Sequence, residues 1–353
     1  MIVVPPTEIT DTTLTSSTVS EPHAPANYAG GTTYAAGDFV TDSASMVVYM
    51  SLAASNTGNT PATSPLWWVA VGYKEVAWNS GTTYAASTAA AGQIVYYQHR
   101  VYESLAASNT NNNPFTSPTW WSDIGPTMKW AMFDTERNTA TRGASAMVAV
   151  VTPGVRCDTA AVLGVEADTV RLQVSSGGSP VYDETADMVA RAVATYYDYF
   201  FKAFRQVGSY LFQNIPPNLN NIYTTTFTKS VGAASCGALV IGLKVEIGTV
   251  QKSAEDDALN FSTVERDIYG SATLIPRRSV PKTVQTVWAP SSYLANIRAL
   301  RVSLNAVPAV YAGLTSNSSD YFDSLLMLGV YKQWTVSLEM ASEVVQTLEI
   351  EEV

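Results

Sequence analysis

The sequence predicts an all-β chain: two small few-stranded modules, then a large β-sandwich or jelly-roll-like domain with one or two short helices. Three observations carry that prediction. One block of sequence is written twice in the first third of the chain. From about residue 130 onward, short runs alternate apolar and β-branched with polar residues, the period of a half-buried strand. Between those runs stand clusters of Gly, Pro, Asn and Ser, such as Ser176-Gly177-Gly178-Ser179-Pro180 and Pro216-Pro217-Asn218, which read as turns.

The duplicated block is Ser-Leu-Ala-Ala-Ser-Asn-Thr, at Ser51 to Thr57 and again at Ser104 to Thr110. Each copy leads to a Pro (Pro61, Pro114), a Thr-Ser-Pro, a Trp pair (Trp67 and Trp68, Trp120 and Trp121) and a Gly (Gly72, Gly125), all 53 positions apart. Upstream, Gly31 to Ala36 matches Gly81 to Ala86 at a spacing of 50, so the length change falls between Ala36 and Tyr49. Self-similarity at this period marks tandem modules of one supersecondary unit each.

In chain order, residues 1–26 hold Ile2-Val3-Val4, a Pro pair and a Thr/Ser-dominated run. Such a segment is either a disordered leader or an extended docking arm that adds a strand to a neighbouring subunit's sheet. Residues 27–75 form the first module and 76–126 the second. In the second, Gln93 to Tyr97 and Arg100 to Ser104 flank Gln98-His99, a hairpin signal. Asp38 to Val40 and Met46 to Ser51 are the counterparts in the first module, with a longer connection. Residues 127–353 form the C-terminal domain, in one or two lobes. Its expected strands are 146–151, 168–174, 221–228, 239–250, 283–288, 331–338 and 344–350. In the second of these, Val170, Leu172 and Val174 face one way and Thr169, Arg171 and Gln173 the other. A helix is expected from a Ser291 or Ser292 cap through Leu294, Ile297, Arg301 and Leu304, with Pro308 beyond its end. The 187–206 stretch reads as helix or strand, and its Tyr196, Tyr197, Tyr199, Phe200, Phe201 and Phe204 read as core and interface filling.

Composition narrows the function. Charged residues are 14% of 353, well below the usual quarter, and the net charge of −10 repels a phosphate backbone, so no nucleic-acid partner is expected. Cys157 and Cys236 lie far apart and outside any metal spacing, which suits two buried free thiols. The longest apolar run, Gly232 to Leu243, is too short to cross a bilayer, so no membrane insertion is expected. A start lacking the basic and apolar parts of a secretory signal suggests synthesis in a cytoplasm without export.

The tandem block resembles the small carbohydrate-binding modules of chitinases and of many bacteriophage tail proteins. Trp78-Asn79-Ser80-Gly81-Thr82-Thr83-Tyr84, then Gly92 to Tyr96, then Val101-Tyr102-Glu103-Ser104 and the closing Trp pair carry the likeness. The first copy departs from it, with Tyr28 in place of Trp78 and Asp42 to Val47 in place of a short turn, so it is the weaker candidate if it binds sugar at all. The C-terminal part resembles a domain of tailed-phage structural proteins. Lys129 to Asp134, Tyr197 to Phe201, Arg278 to Lys282, Gly329 to Lys332 and Leu348 to Glu351 carry that second likeness. Together they imply a virion protein of the tail, baseplate or fibre, assembled in the host cytoplasm, with copies of itself and other virion proteins as partners and a host-surface polysaccharide as ligand.

Sugar binding relies on flat aromatic faces meeting the apolar face of a pyranose. The candidate carbohydrate-binding residues are Trp78, Tyr97, Trp120, Trp121, Trp67 and Trp68. Neighbours on a strand point to opposite sides, so in each Trp pair one ring can fill the interior while the other faces out, with the assignment left open; the alternative is that both rings are buried against the next module. No cofactor, metal site or enzymatic activity is expected: His23 and His99 are the only histidines, and no phosphate loop occurs. Asp183-Glu184 with Asp187, and Glu255-Asp256-Asp257, are acidic clusters that read as solvated loops. Two rival readings stand beside adhesion: a purely architectural spacer, collar or head decoration, and a polysaccharide-degrading tail enzyme.

Overall fold

The computed structural model describes residues 1–86, 94–190, 195–251, 254–266, 268–317, 321–338 and 342–353. The fold is all-β with few short helices. Gly92 and Gln93, quoted above for the resemblance, lie outside the described residues.

Three sheets stack in the C-terminal domain, where a two-sheet sandwich was expected. The middle sheet has three strands: Ser209–Phe212, Thr159–Leu163 and Ala238–Gly242. Both Thr159–Leu163 and Ala238–Gly242 are buried at every position, because sheets cover both of their faces. Strands buried on two faces read as continuous apolar runs, and these two do.

On one side Ala160, Val162, Leu239 and Ile241 pack against Met147, Val151, Leu172 and Tyr223 of a five-stranded sheet. That sheet runs Ser179–Asp187, Thr169–Ser176, Asn221–Thr228, Ala146–Val151 and Leu14–Ser17. On the other side Ala161, Leu163, Ala238 and Val240 meet Ile2, Val4, Val310 and Leu328 of an eight-stranded sheet. The far face of that sheet is closed by the helix Leu294–Ser303, through Ile297 and Leu300. The expected serine cap is replaced by a 3-10 turn, Ser291–Tyr293, that leads into the helix without a side-chain cap bond.

Residues 1–26 are neither a leader nor an arm onto a neighbour in this structure. Ile2–Val4 lies between Val245–Glu246 and Ala309–Ala312 in the eight-stranded sheet, sending Ile2 and Val4 to one core and Val3 to the other. Leu14–Ser17 adds to Ala146–Val151 at the edge of the five-stranded sheet. The arm is donated to its own chain, because three consecutive apolar residues satisfy both faces of a covered sheet. The two modules are thus an insertion, entered near residue 26 and left near residue 127, in a body built from both ends of the sequence.

Each module is a three-stranded antiparallel sheet with a two-stranded ladder beside it. The first module pairs Phe39–Thr41, Val47–Ser51 and Trp68–Tyr73, the second Ile94–Tyr97, Arg100–Ser104 and Trp121–Pro126. The repeated heptapeptide braces both. Asn56 Nδ2 donates to Ser51 Oγ at 3.0 Å and to the Trp67 carbonyl at 3.3 Å; Asn109 does the same to Ser104 and Trp120, at 3.1 and 3.3 Å. Both Asn and both Ser are buried, so losing either leaves a polar group without a partner. Gly125 follows a bulge against Val101-Tyr102 and takes a φ of 133°, which favours glycine.

The 187–206 stretch is both strand and helix: Val189–Ala190 pairs with Arg205–Gln206, and the helix Tyr196–Phe201 lies between them. Thr195 and Asp198 close its first turn by a capping box. Its aromatic residues, expected as core and interface filling, are all exposed, so none of them fills this chain's core. Cys157 and Cys236 are buried free thiols.

Candidate functional site

The register of the last strand of each module decides which tryptophan turns inward. Ser51 pairs with Trp68 and Ser104 with Trp121, so the second Trp of each pair shares a face with the buried serine. Trp68 and Trp121 are sealed, and their indole N–H groups donate to the carbonyls of Asn59 at 2.8 Å and Asn112 at 2.9 Å. Both are therefore removed from the list of sugar-contacting candidates and serve as the pillars of their modules. Trp67 and Trp120 remain half-exposed.

In the second module the core is Tyr84, Val95, Tyr102 and Trp121, with the Tyr84 and Trp121 rings 5.1 Å apart, edge to face. Trp78, Tyr97 and Trp120 pack onto this core and are only partly buried. Val95 and Tyr97 lie on the same face of their strand, which sets Tyr97 over the core. The Trp78 ring meets it edge to face at 5.5 Å. Three aromatic rings thus surround one small core and each leaves part of its surface to solvent. The Trp78 indole N–H lies below the surface with no hydrogen-bond partner, an uncommon state for a buried donor. Arg100, opposite Tyr97 in the ladder, forms an ion pair with Asp123 beside these rings.

The first module keeps the pillar and loses one of the three surrounding rings. Tyr28 stands in for Trp78, partly buried, and stacks on Tyr34 at 5.9 Å. The ladder positions equivalent to Tyr96 and Tyr97 are Thr41 and Asp42, and Asp42 is engaged by the Ser45 hydroxyl at 2.6 Å. Tyr28 and Trp67 thus remain of the three half-buried aromatic positions, and the ring of Tyr97 has no counterpart.

A second constellation joins modules to body. The Glu75 carboxylate, almost wholly buried, accepts from the backbone N–H of His23 and of Met128, both at 2.7 Å. Burial pushes its pKa up to about 7, against the pull of those two donors and with help from the negative charge of Glu21. Glu21 accepts from the Thr127 hydroxyl and the Trp130 indole N–H, both at 2.7 Å, and lies 3.1 Å from His99 Nδ1. His99 Nε2 is 3.1 Å from Asp11, and its ring lies 4.2 Å from that of Trp130. Entry strand, inter-module link and return strand are therefore pinned by two carboxylates. Sequence reasoning passed over both; their signal was an isolated acidic residue at each module boundary. Beside Glu75 a cleft of about 300 Å³ opens between the modules and the body, lined by Tyr73, Val101, Met128, Asn138 and Arg142 among others.

Of the acidic clusters, Asp256 lines a cavity with Gln251, Tyr321 and Ser324, and the carboxylates of Asp183 and Glu184 are engaged elsewhere. Asp183 is held by Arg171 at 2.6 Å, while Glu184 takes the hydroxyls of Tyr182 and Tyr210. Among the described residues no group of three His, Cys, Asp or Glu side chains is placed to hold a metal ion, and no helix is long and apolar enough to cross a membrane. Compared with family models, curated proteins and solved structures, the chain matches none.

Proposed function

We propose that the chain is a structural component of a tailed-phage particle, in the tail, baseplate or fibre, and that its second module attaches the particle to a host-surface glycan. The observation that carries the adhesion part is the set of three half-buried rings, Trp78, Tyr97 and Trp120, around the sealed Trp121. Half-buried aromatic rings held by a rigid core are pre-organised to stack on sugar faces, with little ordering entropy lost on binding. A single such contact is weak, and many copies in one particle make it avid. The body supplies the copies' mutual contacts. The phage setting rests on the resemblance of residues 27–125 and of the C-terminal motifs.

A specific observation favours the architectural rival as well: the modules are pinned to the body through Glu21 and Glu75, as a spacer would be. The two readings separate in one experiment. The full chain is passed over immobilised chitin-type and host-derived polysaccharides, beside Trp78→Ala, Trp120→Ala and Trp121→Ala. Adhesion predicts retention of the parent chain, at least a tenfold loss for Trp78→Ala and Trp120→Ala in a chain that stays folded, and a larger drop in melting temperature for Trp121→Ala than for either. A folded parent chain that is retained on none of the polysaccharides leaves the architectural reading.

A further inference from the structure

Two protruding parts of the body carry large apolar side chains that the fold leaves uncovered. The first is the turn built on the helix Tyr196–Phe201. Tyr196, Tyr197, Tyr199, Phe200, Phe201 and Phe204 are between 57 and 89% exposed, and no residue of the helix is buried. Fully covering an aromatic side chain removes roughly 150–250 Å², so the six uncovered rings present on the order of 800 Å². That equals one partner's share of a standard protein interface, about 800 Å².

The second part is the hairpin of Thr263–Arg266 and Ala272–Ile275, which among the described residues pairs with no other strand. Val264 opposes Leu274 and Arg266 opposes Ala272, so these four side chains stand on one face of the ribbon. Val264 and Leu274 are mostly exposed, as are Phe261 at the base and Ile268 and Tyr269 at the tip. A two-stranded ribbon with an uncovered apolar face is marginal alone in water.

We propose that the aromatic turn of one copy packs on the ribbon face of the next copy of this chain. This deepens the reading above, on which the many-copy assembly rests. The occupant is argued from area and shape. The helix has no buried residue and is six residues long, and the ribbon offers it an extended face in Val264, Leu274, Ala272 and Arg266. Arg266 on that face also supplies the cation that aromatic faces attract. The two surfaces differ, so the contact is head-to-tail, and repetition closes a ring or extends a filament.

The full chain is tested by sedimentation velocity at micromolar concentration. The parent chain is expected to run as a species larger than a dimer. Tyr197→Ser/Phe200→Ser and Val264→Ser/Leu274→Ser are each expected to run as monomers. Mixed in equal amounts they should give a one-to-one dimer and nothing larger, because one intact surface remains on each. That rescue also shows that both variants fold. A disulfide trapped between Phe200→Cys of one copy and Ile268→Cys of another supports the same contact independently of the serine variants. A monomeric parent chain overturns the proposal, as does a ribbon variant that still dimerises, which assigns the rings to each other. A monomeric parent chain that floats with phosphatidylglycerol vesicles overturns it in favour of a lipid surface. Glycan retention is read separately, so loss of the contact and loss of adhesion are told apart.

Discussion

Glu75 is the residue whose surroundings make the sharpest demand. Its folded pKa of about 7 stands above the ordinary 4.5, so between those values the folded chain holds a proton that the unfolded chain has released. Stability from this group is complete below about pH 4.5 and is lost as the pH rises through 7. Asp134, pushed by burial up to about 6, acts in the same direction. Denaturant titrations at pH 5 and pH 7.5 should therefore show the chain less stable at the higher pH. Glu75→Gln should flatten that dependence, leaving the smaller part due to Asp134. A profile equally steep in the variant would exclude Glu75 as the source. The Trp pairs show where residue-scale reading of sequence stops. Alternation says that one ring of each turns inward, but only the pairing of Ser104 with Trp121 says which. That register is set by a strand partner elsewhere in the module.

At the scale of elements, the strand Thr169–Ser176 was legible because it has one wet face, and its alternation survives in the burial of Val170, Leu172 and Val174. Ile2–Val4 was not, since three residues hold no periodicity and an apolar triplet near a chain start also suits a free arm. Thr159–Leu163 escaped for a related reason: two covered faces erase the alternation. The 239–250 run was read as one strand and is three short ones, Ala238–Gly242, Val245–Glu246 and Thr249–Val250, interrupted at Leu243-Lys244 and at Ile247-Gly248. The last residue of the first has no room for a side chain. A Cβ there would lie 2.2 Å from the Pro5 carbonyl oxygen, where the N-terminal segment crosses the middle sheet. Gly242→Ala must displace that backbone, at a cost of about 1–3 kcal/mol as for other overpacked sites. Thermal unfolding should show the loss, and an unchanged midpoint would mean that the crossing is loose. The aromatic turn was legible as a run of rings for a core or an interface, and exposure removes the core, because ring content alone does not separate a core from a surface that meets another molecule.

For the whole molecule, the joint between modules and body fixes where the aromatic rings point. Glu21→Ala leaves the Trp130 indole N–H and the Thr127 hydroxyl without their acceptor, and takes from His99 one of its two carboxylates. Loss of that joint should cost about 2 kcal/mol. It should also enlarge the particle in solution scattering and speed protease cleavage near residue 127. If scattering and cleavage stay as in the parent chain, Glu75 alone holds the joint. The core under the eight-stranded sheet would be untouched, whereas Trp130 carries the loss into the core of the five-stranded sheet, of which it is a member.

The insertion of the modules has a mechanical corollary. A force on either module reaches the body along two covalent strands at once, one ending in the five-stranded sheet and the other returning through Thr127 to Trp130. Neither strand takes the whole load, and neither can be peeled away while the other holds. A hook hung by both ends in this manner resists shear that would strip a module tethered by a single linker.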